Sequence, residues 1–266
     1  MSHPQPIYTA DNCKAAYQLN WSLTVFWNAS PPPDSEWLSP LREATKPDGV
    51  HLLEHRLTDT NASQFLISTH PETAPPDAVR SVKGRLQYLV RGKIPKAFRR
   101  NYGLWSVGGA NWNTIDRYIA DQTRHHPMAD PRVQEQFEAL AIDGDKEALA
   151  QPRTSGHAQF CYNLHLVFVG RDRGFEVRPR VLEARRAMLL AVASKKGHLI
   201  GTGRIVADHL HVALGCRLSE SPQEVALAYM NNLAYAVGMK PVFQYGFYAG
   251  TFSRYDLDAI RRRLRE

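Results

Sequence analysis

The segments "YQLNWSLTVFW" (17–27) and "CYNLHLVFV" (161–169) lie about 143 residues apart and obey one rule. Leu19, Trp21, Leu23 and Val25 alternate with smaller or more polar residues in the first, and Tyr162, Leu164, Leu166 and Phe168 do so in the second. That is the period of a half-buried strand. The echo continues. "VHLLEHRLTDTNASQFLIST" (50–69) predicts strand, turn, strand, and so does "GHLIGTGRIVADHLHVALG" (197–215), with Gly201 and Gly203 expected at its turn. Each pair runs into a proline-marked helix with glycine just past its end, at 75–92 and 221–238. An aromatic-glycine segment follows each helix, "YGLWSVGG" (102–109) and "YGFYAGTF" (245–252), and then a last helix. A repeat this long in order predicts two structural units. The expected class is α+β: two tandem domains of similar topology, 1–142 and 158–266, each an antiparallel sheet with helices packed on it, joined by a linker over 143–157.

Charge and cysteine usage narrow the function. The formal net charge is +7, which points to a polyanionic partner. Cys13, Cys161 and Cys216 are odd in number, widely spaced and without a CxxC pattern, as expected of a reducing compartment with neither a disulfide framework nor a zinc knuckle. The opening "MSHPQPIYTADNCK" lacks an apolar signal core, and no run of about 18 apolar residues occurs, so a cytoplasmic, nucleoid-associated location and no membrane partner are expected. GxGxxG, P-loop and GxSxG motifs are absent.

Two short patterns carry chemistry. In "RIVADHLHVALG" His209 and His211 fall at i and i+2 of a strand and project to one side, while Leu210 and Val212 turn to the other. Such a pair either packs as core histidines bonded to backbone or chelates a divalent ion. In "NTIDRYIADQ" (113–122) Ile115, Tyr118 and Ile119 form an apolar stripe, and Tyr118 and Gln122 stand one helical turn apart. Asp208, Asn231, Asn232, His125 and His126 are further candidates for a metal ligand.

With HxH on a strand and YxxxQ on a helix, together with "WSLTVFW", "SVKGRLQYLV" and "SVGG…YIADQ", the chain resembles the single-tyrosine HUH transposases, especially the REP-associated group. The resemblance implies HUH/ferredoxin-like domains, with His209, His211 and Gln122 holding Mg²⁺ or Mn²⁺. It implies that Tyr118 attacks a phosphodiester of single-stranded or hairpin DNA to give a 5′-phosphotyrosine intermediate. The chain departs from the family pattern in an orderly way. The first half keeps Tyr118 and Gln122 but reads "ASQFLIST" (62–69) where HxH should fall, whereas the second keeps HxH but ends "YDLDAIRRRLRE" (255–266), without YxxxQ. Each half lacks what the other retains. The pattern is that of a fused pseudo-dimer, working as a monomer or as a homodimer of such chains, with one composite site. The alternatives are a non-catalytic, domesticated DNA-binding protein and a nickase like the HUH replication initiators and relaxases.

DNA contact is expected along "KGRLQYLVRGKIPKAFRR" (83–100). Lys83, Arg85, Arg91, Lys93, Lys96, Arg99 and Arg100 stand there with no acidic residue, and Tyr88 and Phe98 are interleaved for base stacking. The tail "RRRLR" (261–265) is a second basic cluster.

Overall fold

The structure, a computed structural model, describes residues 5–58, 61–171 and 175–265; the side chain of Arg265, last of the basic tail, lies outside the described residues. After β1 (Lys14–Gln18) the first half runs β2 (Asn20–Trp27), α1 (Leu38–Thr45), β3 (Val50–Thr58), β4 (Ala62–Thr69), α2 (Pro75–Val90) and β5 (Phe98–Val107). Three helices follow, α3 (Trp112–Ala120), α4 (Gln122–His125) and α5 (Pro131–Ala139), then the short β6 (Ile142–Asp143), α6 (Lys146–Ala150) and β7 (Arg153–Ser155). The second half repeats the order: β8 (Ala158–Cys161), β9 (Asn163–Val169), α7 (Pro179–Lys196), β10 (Leu199–Ile205), β11 (His209–Gly215), α8 (Pro222–Ala236), β12 (Gly246–Thr251) and α9 (Leu257–Arg265).

The strands form two six-stranded sheets, β3-β4-β2-β5-β8-β7 and β1-β12-β9-β11-β10-β6. Within them β5-β2-β4-β3 and β12-β9-β11-β10 have the same spatial order, the βαββαβ arrangement of ferredoxin-like folds. The expected α+β architecture with two similar halves is what the chain adopts. Trp21, Leu23 and Val25 of β2 and Leu164, Leu166 and Phe168 of β9 turn toward α1, α2, α7 and α8, and the two cores are continuous where Trp21 meets Tyr162 edge-on at 5.0 Å.

The halves are interlocked. β1 pairs in parallel with β12 of the second sheet, and its counterpart β8 pairs in parallel with β5 of the first. The helices cross in the same way. α3 packs on β10 and β11, and α9 packs on β3. At the crossing two buried hydroxyls satisfy each other's strands: Ser106 Oγ donates to the Phe252 carbonyl (2.7 Å) and Thr251 Oγ1 to that of Val107 (2.6 Å). Each also accepts a backbone N–H, from Asn163 (3.1 Å) and Asn20 (2.8 Å) respectively. This is a two-fold relation within one chain, in which residues near 106 answer to residues about 145 further on.

One expectation needs correcting. Gly201 and Gly203 lie inside β10, not at a turn; the chain reverses between Ile205 and His209. A bulge falls between Ile200 and Thr202, and a Cβ at Gly201 would come within 2.4 Å of Leu149 and 2.6 Å of Trp112. The glycine that reads as a turn signal is instead a site of close approach, where α3 sits on the sheet.

Candidate active site

Strand alternation turns His209 and His211 of β11, His165 and Val167 of β9 and Tyr248 of β12 onto the face opposite the helical core. α3 lies across that face. Its N-cap Asn111 accepts from the Thr114 amide, and Ile119 anchors it against Ala213 and Phe252. Helix α3 ends at Ala120, and Gln122 opens α4, one turn beyond Tyr118. Together these elements line a cleft of about 580 Å³ that contains Tyr118, Gln122, His126, His165, His209 and His211. The four residues singled out in the two sequence motifs therefore meet, although they come from opposite halves.

Each side chain is held by a second one. His209 Nδ1 donates to the Asp208 carboxylate at 2.7 Å, and its Nε2 faces Gln122 Oε1 at 3.2 Å. Gln122 is buried, and its amide nitrogen donates to the Tyr118 carbonyl at 3.0 Å, which fixes which atom points at His209. His211 Nδ1 lies 3.0 Å from His165 Nε2, leaving His211 Nε2 without a hydrogen bond among the described residues. Burial keeps the imidazoles neutral. It lowers His209, takes His165 down to about 4 and, helped by the imidazoles of His165 and His209, takes His211 to about 2. A neutral ring whose occupied nitrogen donates offers a lone pair on the other, as His211 does at Nε2 in the tautomer whose Nδ1–H donates to His165.

Tyr118 stands at the cleft mouth, 46% exposed, its ring edge-on to His211 (5.4 Å) and His165 (6.1 Å). Sequence reasoning missed His165 and Tyr248. His165 belongs to the neglected alternate face of "CYNLHLVFV", and that period-two position is the signal that could have found it. His126 packs edge-on to His209 at 4.9 Å, while Asn231 is taken up by the backbone of Ile7 and Tyr8 and Asn232 by the Ala228 carbonyl. Among the described residues no three His, Cys, Asp or Glu side chains are grouped to enclose a metal, so a three-donor set here requires the Gln122 amide.

The basic segment is more occupied than its sequence suggests. Lys83 is half-buried and donates to the Arg99 carbonyl (2.8 Å), Arg85 pairs with Asp48 (2.9 Å) and Lys93 with Glu36. Phe98 packs on Trp27, with ring centroids 4.5 Å apart and the planes tilted. Arg91 covers the exposed Tyr88 ring at 4.1 Å, and Lys96, Arg99 and Arg100 are exposed and make no ion pair among the described residues.

The matching face of the first sheet is built in the same register with other side chains. Where β9 and β11 place His165, His209 and His211, β2 and β4 place Ser22, Ala62 and Gln64. Gln64 Nε2 donates to Ser22 Oγ at 2.9 Å, in the position of the His165–His211 contact. Counting from the N-caps Asn111 and Asp256, Arg263 of α9 stands where α3 has Tyr118.

No protein-family profile and no curated protein matches the chain. Among solved structures, a REP-associated tyrosine transposase bound to a REP hairpin aligns over 39% of this chain and 62% of its own, at 12% identity and a TM-score of 0.32. A protein of unknown function from Galdieria sulphuraria aligns over 88% of this chain and 98% of its own, at 10% identity and a TM-score of 0.22. Superpositions this loose establish neither fold nor function. Among the described residues no helix is long and apolar enough to cross a membrane.

Proposed function

We propose that the protein cuts and rejoins single-stranded or hairpin DNA through a 5′-phosphotyrosine intermediate, at one composite site shared by its two halves. The observation that carries this reading is the 3.2 Å approach of His209 Nε2 to Gln122 Oε1. Neutral His209, its Nδ1 proton given to Asp208, presents a bare lone pair, and Gln122 presents another. The two atoms are close enough to face one cation. His211 Nε2 supplies a third donor on the same face. Two imidazoles and an amide oxygen suit Mn²⁺ and, less readily, Mg²⁺, and they leave the ion's charge uncancelled. A divalent cation bound there supplies stabilisation of the charge that develops on the phosphate oxygens.

The chain's own groups do the rest. Tyr118, exposed at the mouth, is where an unpaired strand can reach a hydroxyl. Its oxygen bonds to phosphorus, the bond to the 3′ oxygen breaks, the phenolic proton is released and the departing 3′ oxygen takes one up. One phosphodiester replaces another, so the 3′-OH can reverse the step without ATP. Asp208 and His165 orient the two ligand imidazoles, and the Gln122–Tyr118 bond ties the nucleophile's helix to the ligand set. With one site per chain, a single molecule suits nicking or hairpin processing, and exchange of two DNA ends takes two chains.

The test is covalent capture. Labelled hairpin-ended single strands are incubated with the protein and Mn²⁺ and then denatured. Label migrating with the wild type, retained in Tyr248→Phe and absent from Tyr118→Phe, is the expected result. Label persisting in Tyr118→Phe, or absent from all three, overturns the reading.

A further inference from the structure

The open face of the first sheet carries a second assignment, independent of the cutting site. Across it runs an in-register row, Arg56, Gln64, Thr24, Gly103, Gln159 and Thr154, one residue from each strand. Helix α9 covers the side near Leu53, Leu66 and Val107 and reaches the β3 end of the row, where Arg56 donates to the Arg263 carbonyl and Arg261 pairs with Glu54, leaving the β2, β5, β8 and β7 part of the row uncovered. Beside the row, half-exposed Phe26 and Trp105 line a cleft of about 420 Å³ whose lining contains no carboxylate. The Trp105 indole edge lies over Gly103, where a Cβ would come within 2.3 Å of the ring. Along β5, Asn101, Gly103 and Trp105 alternate onto this face, and Arg99, beyond the register shift between Val25 and Trp27, stands at its edge, exposed and without an ion pair among the described residues.

We propose that this face binds an unpaired nucleotide strand without cutting it. Phe26 and Trp105 offer rings for bases, the amides and hydroxyls of the row offer donors and acceptors for base edges, and Arg99 offers a cation for phosphate. The row crosses five inter-strand steps, roughly 24 Å at ~4.8 Å each, a span suited to several nucleotides rather than to one small molecule. Its polar surface is ill-suited to an apolar protein partner. The face has no means of cleavage, because Ala62, Gln64 and Arg263 hold the positions of the two histidines and the tyrosine. Taken with the function proposed above, this half would hold strand while the other reacts.

The test uses the full chain carrying Tyr118→Phe, in EDTA, so that its outcome does not depend on the cutting reaction. Oligothymidylate and oligouridylate of equal length are titrated while tryptophan fluorescence is followed. Trp21, Trp27 and Trp37 are buried, so quenching reports on Trp105 or Trp112. Expected is quenching by at least one oligonucleotide that disappears in Trp105→Phe, with affinity about 10-fold weaker or more in Trp105→Ala. Arg99→Gln should lower the log–log salt slope by about 0.7. Crosslinks from 5-iodouracil should map to residues 99–105 or 153–160. Quenching that survives Trp105→Phe, crosslinks confined to 115–126, or no binding of either strand overturns the proposal.

Discussion

The two faces beneath the exchanged helices share a backbone and differ in chemistry. Both outer strands bulge at the same place, between Ile200 and Thr202 in β10 and between Leu52 and Glu54 in β3. In the second half the bulge holds Gly201 beneath Trp112 of α3; in the first it holds Leu53, packed with Leu257 of α9. A small residue under a large one on one side becomes two of middle size on the other. The helix-to-sheet fit is common to both halves, while the side chains beside it differ. Side-chain chemistry at these positions is separable from architecture, and the first half still contributes Tyr118 and Gln122 to the cleft on the second sheet.

The largest expected effect tests that separation directly. Tyr118→Phe should reduce covalent DNA capture by at least roughly 1,000-fold, whereas Arg263→Phe on the other face should leave it unchanged. Next, Asp208→Asn should weaken Mn²⁺ binding about 10–100-fold in calorimetric titration, because His209 loses the partner that sets its tautomer. Gln64→Ala should leave the titration untouched, and an equal loss there would break the comparison.

Smaller effects concern the packing. Gly201→Leu should cost about 1–3 kcal/mol in urea unfolding and displace α3, with the adduct lost alongside. Adding Trp112→Leu, which recreates the pairing of the first half, should recover part of both, because Leu149 still stands 2.4 Å from the new Cβ. Smallest are the crossing hydroxyls. Ser106→Ala and Thr251→Ala each strand a buried N–H and should cost about 1–3 kcal/mol. The two-fold relation predicts nearly equal values, and a clear difference would show where it fails.

Much of this was legible in the chain. Alternation located β2, β4, β9 and β11, proline and glycine bounded α2 and α8, and the motifs named His209, His211, Tyr118 and Gln122, because each rests on a local period. The rest is non-local. No residue of "KAAYQ" (14–18) announces that it will pair with β12, since parallel pairing at long range is set by the whole fold. His165 gains meaning only from His211 on the neighbouring strand. Gly201 misread as a turn because local sequence cannot distinguish a chain reversal from another helix's approach. In the basic run, Lys83 is held by the carbonyls of Arg99 and Arg100 and Phe98 packs on Trp27, contacts that local sequence does not announce.

The strand exchange also bears on how the protein is made. β1 is made before its partner β12, which lies about 230 residues further on. At ~5–20 residues per second that is a wait of roughly 10–50 s, during which the nascent chain carries an unpaired strand. Neither sheet can be completed by one half alone, so a product stopped near residue 150 has no second sheet for β1 or α3 to join. The cleft that joins Tyr118 and Gln122 to His209 and His211 therefore forms only once β11 has been made as well as α3.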